Sequence, residues 1–140
     1  MVDDDSDTRL RYGFVLTRTG YLVDVAEDGA AGWEALQANR YQLLITEHQM
    51  PKLTGVELLK KLRAARMALP VVMAARRLPL EELDQNPTLQ LAATLAKPFL
   101  ANALLETVQN FLPVTDSVHE ETKPLPAWRS QPTADALWLR

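Results

Sequence analysis

Short apolar runs alternating with helical-period segments predict an α/β fold, a mostly parallel sheet with helices on both faces. The apolar runs are near-continuous, as in Leu43-Leu44-Ile45 and Val71-Val72-Met73, which suits strands buried on both faces. The segments between them carry apolar residues at helical spacing. The alternation fills the chain to about residue 112 and then stops, which is room for a single core.

Four runs read as strands: Tyr21 to Ala26, Tyr41 to Thr46, Pro70 to Ala75 and Leu91 to Ala96. Met1-Val2 is the stub of another, a truncated first strand. A first helix, capped by Ser6 or Asp7, carries Leu10, Phe14 and Thr17 on one face and is closed by Gly20. A second runs from about Ala30 to Asn39, with Gly32 costing it about 1 kcal/mol relative to alanine and Trp33 expected to pack in the core. The third, Val56 to Ala65, aligns Val56, Leu59 and Leu62 and turns Lys60, Lys61 and Arg63 to water. A fourth, about Leu80 to Gln85, is short, thinly apolar (Leu80, Leu83, Leu89) and stopped by Pro87. The last, Leu100 to Leu112, spaces Leu100, Leu104, Val108 and Phe111 along one side. From Pro113 onward prolines interrupt a polar stretch, so residues 113–140 are expected to be a tail or linker after a domain of residues 1–112. Trp128 and Trp138 are exceptions there: either they dock on the domain or they mark a boundary.

Composition removes several functions. The 140 residues carry 15 Lys plus Arg against 18 Asp plus Glu, a formal charge of -3, which argues against nucleic-acid binding through phosphate neutralisation. With no cysteine there is no disulfide, thiolate catalysis or cysteine-ligated zinc. No apolar run approaches the roughly 20 residues of a membrane helix. The acidic start lacks the basic and apolar regions of a secretory signal, so a cytoplasmic location is expected.

Open α/β sheets bind ligands beyond the carboxyl ends of their strands. Those positions hold Asp3-Asp4-Asp5, Glu47, Ala75-Arg76 and Lys97-Pro98. Acids from neighbouring strands with a lysine opposite suit a hard divalent cation and an oxyanion.

These residues resemble the receiver domains of two-component response regulators. Val2 to Arg9 is similar to their acidic opening and Ala26-Glu27-Asp28-Gly29 to their second-strand exit. Glu47-His48-Gln49-Met50-Pro51, with Gly55 beyond, resembles their phosphoacceptor loop, and Ala96-Lys97-Pro98-Phe99 their lysine-proline loop. The resemblance covers about residues 1 to 112. It implies a flavodoxin-like (βα)5 fold with strand order 2-1-3-4-5. It implies Mg2+ on Asp3 and Asp4, with Glu47 as third ligand and at the phosphoacceptor position, and Lys97 on the phosphoryl group. It further implies protein partners (a histidine kinase, an effector or another receiver) on the surface of the fourth helix, fifth strand and fifth helix. Arg76, Arg77, Glu81, Glu82, Asn102 and Glu106 are the candidate contacts there, and a homodimer through that surface is a further expectation. Receivers are signalling modules, not turnover enzymes; no direct nucleic-acid or membrane contact is expected.

The sequence departs from the family pattern at the acceptor, the switch hydroxyl and the switch aromatic. Glu47 replaces aspartate, which moves the carboxylate roughly 1.3–1.5 Å outward, and about 1 Å of misplacement can cost on the order of 100-fold in such a transfer. The extended carboxylate would then reach Lys97 and mimic the modified state. Ala75 stands where the family has the hydroxyl, and Thr94 where it usually has the aromatic. Together these changes predict a signalling module no longer controlled by phosphorylation. The competing readings are a receiver with slow Mg2+-dependent phosphorylation and a Mg2+-dependent phosphohydrolase of the haloacid-dehalogenase kind. The latter rests on Asp5-Ser6-Asp7-Thr8 alone, without that family's full preceding strand or late acid pair. His48 is expected to face solvent.

Overall fold

The computed structural model describes residues 1–114. The expected tail therefore lies, from residue 115, outside the described residues. Helices α1 (Ser6–Thr19), α2 (Gly29–Ala38), α3 (Gly55–Ala64), α4 (Leu80–Gln85) and α5 (Ala101–Phe111) alternate with strands β1 (Leu44–Thr46), β2 (Val71–Ala75) and β3 (Ala93–Ala96). A 3-10 turn, Pro87–Leu89, comes after α4. The strands form a parallel sheet in the order β1-β2-β3.

The two expected N-terminal strands reduce to a narrow seam. Val2 makes one parallel bridge to Ala26 and another to Thr46. Val2 thus supports one rung on each side instead of a ladder, and Tyr21 to Ala26 is not a continuous strand. The rung is well bonded: the Val2 amide donates to Ile45 O at 2.8 Å and the Glu47 amide to Val2 O at 2.8 Å. On the other side the Ala26 amide donates to Met1 O at 2.9 Å and the Asp3 amide to Ala26 O at 3.1 Å. The Met1 amine donates to Asp24 O at 2.9 Å, and burial pushes its pKa down to about 4.

Strand residues alternate between two cores, as the period of a strand requires. Leu43, Ile45, Val72, Ala74 and Leu95 pack with Tyr12 and Leu16 of α1 and Leu104 and Val108 of α5. Leu44, Val71 and Met73 pack with Leu36 of α2 and Val56, Leu59 and Leu62 of α3. The sheet is thus covered on both sides. Trp33 packs partly buried against the second core, with the Lys61 ammonium 5.7 Å from its ring centroid.

Four helix details differ from the sequence expectation. On α5 only Leu104 and Val108 of the expected stripe are buried, while Leu100, at the N-cap, and Phe111 are exposed. Asp5, not Ser6 or Asp7, caps α1, accepting from the Asp7 amide at 3.2 Å and the Thr8 hydroxyl at 2.6 Å. The buried side of α1 is Tyr12, Gly13 and Leu16, because the Tyr12 ring stacks on Phe99 at 4.8 Å and its hydroxyl reaches Phe99 O at 3.0 Å. Leu10 and Phe14 are left exposed. Arg63 of α3 turns inward instead of to water: its guanidinium donates to the carbonyls of Leu89, Met67, Leu69 and Gln90, at 2.7–3.2 Å.

Candidate functional site

The carboxyl ends of the seam, β1, β2 and β3 converge as the fold class requires. Val2 delivers Asp3, Thr46 delivers Glu47, and the end of β3 delivers Lys97, whose amide donates to Ala75 O at 2.9 Å. Asp3 and Glu47 are buried and Lys97 nearly so. The Lys97–Pro98 peptide is cis.

The lysine joins the two acids. Lys97 Nζ lies 2.6 Å from Asp3 Oδ2 and 3.7 Å from Glu47 Oε1. The second Asp3 oxygen accepts from the Asp5 amide at 3.0 Å, and the second Glu47 oxygen from the His48 amide at 3.0 Å. Arg9 holds the Asp3 carbonyl at 2.8 Å. Burial raises Asp3 above the usual carboxylate range against the opposing pull of Lys97. Burial also raises Glu47, opposed by the His48 amide and then by Lys97.

The loop carrying Glu47 has little freedom. The Gly55 amide donates to His48 O at 2.8 Å, and a Cβ on Gly55 would run into the Glu47 carbonyl. That backbone approach requires glycine. Lys52, at φ 69, ion-pairs with buried Asp28 at 3.2 Å. Asp28 in turn caps α2 through the Ala31 amide at 2.8 Å. Thr54 and Glu57 form a reciprocal capping box at the start of α3.

The other expected site residues lie around this cluster or away from it. Asp4 is exposed, whereas Asp3 is engaged by Lys97; among the described residues no three acids or histidines form a group that would hold a metal ion. The oxygen donors suit magnesium chemically, but this arrangement does not assemble them into a cage. Ala75 is buried at the end of β2 and offers no hydroxyl; Thr94 on β3 is exposed. Arg76 and Arg77 follow β2, Glu81 and Glu82 are on α4 and Asn102 and Glu106 on α5, and all six are exposed.

His48 departs from its expected solvent-facing position. It is 8% exposed, its Nδ1 has no partner, and its Nε2 lies 3.9 Å from Glu82 Oε1 of α4. Nothing local in the sequence signals this, since its cover comes from a helix more than thirty residues later.

A response regulator receiver domain model matches residues 1–109. A probable transcriptional regulatory protein, SilR of Salmonella typhimurium, is 29% identical over 112 residues, covering 80% of this chain and 49% of that protein. Response regulator MprA of Mycobacterium ulcerans is 30% identical over 112 residues, covering 80% of this chain and 48% of that protein. The chain thus spans about half the length of the curated relatives it matches. Among solved structures, a CheY-like receiver domain protein from Methanospirillum hungatei superposes with a TM-score of 0.73 at 25% identity, covering 78% of this chain and 87% of that one. Chemotaxis protein CheY4 of Vibrio cholerae gives 0.72 at 28% identity, covering 79% and 93%.

Proposed function

We propose, for a chain that belongs to the response regulator receiver domain family, that it is a signalling module acting through protein contacts without a phosphorylation cycle. One observation carries this reading. The Glu47 carboxylate lies in the pocket where a phosphoryl group would have to be seated, with one oxygen on the His48 amide and the other toward Lys97. A phosphoryl donor would meet a carboxylate already engaged by both groups. Its attacking oxygen also sits on a side chain one methylene longer than aspartate.

The path by which modification would be read out lacks its parts as well. The family resemblance puts a hydroxyl donor at position 75 and an aromatic rotamer at position 94. Ala75 has no donor and Thr94 has no ring to bury. The Glu47–Lys97 contact stands in for the acceptor–lysine contact of a modified receiver, which makes the pocket a fixed structural charge cluster. No step in this reading is routed through magnesium.

The outputs are then protein partners, another receiver or an effector, on the surface of α4, β3 and α5, with residues 113–140 as a tail. Amide spectra recorded with and without magnesium and acetyl phosphate test this. They are expected to superimpose through Val71–Ala75, Leu80–Gln85 and Ala93–Ala96. Donor-dependent shifts in those segments would show a working switch and contradict the proposal.

A further inference from the structure

The amino-terminal ends of β2 and β3, at the opposite end of the sheet from Glu47 and Lys97, hold an open cleft of about 390 Å³. It is lined by Arg63, Arg66 and Gln90 and by the apolar Met67, Pro70 and Ala92. That volume is in the range of small-molecule sites, which combine apolar walls with a few convergent polar groups. No acid lines the cleft. Among the described residues neither guanidinium has a carboxylate within 4 Å.

The two arginines are held in unlike ways. Arg63 directs four of its five N–H donors to the carbonyls of Leu89, Met67, Leu69 and Gln90. That fixes the guanidinium and leaves one Nη2 hydrogen, with the whole positive charge unmatched. Burial lowers the Arg63 pKa, as it does for a cation short of compensation. Arg66 is exposed, and its backbone lies in the left-handed region at φ 58. The Arg66 amide donates to Arg63 O and the Met67 amide to Leu62 O, both at 3.0 Å. These are the paired bonds of a helix end whose left-handed residue is usually glycine. Gln90, on the other wall, is left-handed as well, at φ 51. Two of the three non-glycine residues with positive φ among the described residues therefore line this one cleft. Strain of this kind gathers at ligand sites. An arginine in a glycine position, beside a cationic cavity, breaks a local rule where function gives a reason to break it.

We propose that this cleft binds a small organic anion, a carboxylate or phosphate group on an apolar body. Arg66 and the remaining Nη2 hydrogen of Arg63 take the anionic oxygens as charge-assisted donors, and Met67, Pro70 and Ala92 take the body. The size of the cleft favours a free small molecule over an acidic protein segment. Its walls belong to the segments that enter β2 and β3, so an occupant bridges the two strands at the end far from Glu47. The site is independent of the acid pocket and of whether that pocket accepts phosphate.

Benzoate and phenyl phosphate, with benzyl alcohol as the uncharged comparison, are titrated into the isotope-labelled full chain without magnesium. At least one anion is expected to give saturable amide shifts within residues 63–69 and 89–92, and which one does so names the head group. Benzyl alcohol is expected to bind at least about tenfold more weakly, for want of the charged hydrogen bonds. Arg66→Gly removes the side chain and the strain together, so the thermal midpoint is expected to hold or rise. The same variant is expected to bind the anion about ten- to a hundredfold more weakly, the loss of one charge-assisted hydrogen bond. Arg66→Gln keeps the strain, removes the charge and is expected to weaken binding alike. Absence of saturable shifts, shifts centred on Asp3, Glu47 and Lys97, benzyl alcohol binding as tightly as the anions, or affinities unchanged in both variants would each overturn the proposal. Binding of an acidic peptide in place of both small anions would also overturn it, assigning the cleft to a protein partner.

Discussion

Asp3 and Glu47 are both buried, and only Lys97 offers them an ammonium within 4 Å among the described residues. Such a cluster depends on its lysine, because removing Lys97 leaves two buried acids without a compensating charge. Lys97→Met is therefore expected to destabilise the fold by about 3–5 kcal/mol, and adding Asp3→Asn is expected to restore part of the loss; chemical denaturation of the single and double variants measures both. Glu47 makes a pH prediction whose sign comes from its raised pKa. A carboxyl raised in the folded state contributes stability below its unfolded pKa, and that contribution is lost as pH rises through the folded value. Glu47→Gln keeps an oxygen for the His48 amide but does not titrate. The variant is thus expected to be more stable than the native chain at neutral pH, with the gap closing as pH falls toward the ordinary glutamate range. Comparing the two chains at each pH cancels the contribution of the Met1 amine, which burial lowers. A gap that widens toward acid would contradict the burial of Glu47.

Arg63 acts on whole elements. Its four carbonyl partners belong to the loop after α3 and to the turn after α4, so one guanidinium fixes the amino-terminal end of β2 against the approach to β3. Lysine keeps the charge but not the planar fork. Arg63→Lys is expected to cost about 1–3 kcal/mol through unpaired carbonyls, seen as a lower thermal midpoint; an unchanged midpoint would mean that these bonds are replaceable by water. The other elements show why packing decides what propensity leaves open. On α1 both Leu10-Phe14 and Tyr12-Leu16 have helical spacing, and hydrophobicity alone favours the wrong pair. Tyr12 is buried because Phe99, 87 residues away in sequence, supplies both a stacking ring and a carbonyl. The α4 helix has no buried residue, in keeping with its thin apolar content.

For the molecule entire, the α/β class was legible because buried parallel strands write continuous apolar runs and amphipathic helices write a 3.6-residue period. The seam at Val2 was legible only as a stub, since its rungs depend on where Ala26 and Thr46 are brought. In the pocket, Asp3, Glu47 and Lys97 were readable from their places after strands, and the structure brings them together. The placement of Asp4 outside that cluster and the burial of His48 under α4 were not readable, because both depend on how loops from distant segments settle.

If the pocket accepts no phosphate, as proposed, the intact mass of the chain is unchanged by incubation with magnesium and acetyl phosphate. With an aspartate-bearing receiver alongside to show that the donor is active, the control is expected to gain a phosphoryl adduct and this chain none. A magnesium-dependent adduct on this chain would contradict the claim and show that Glu47, or an acid beside it, still reacts.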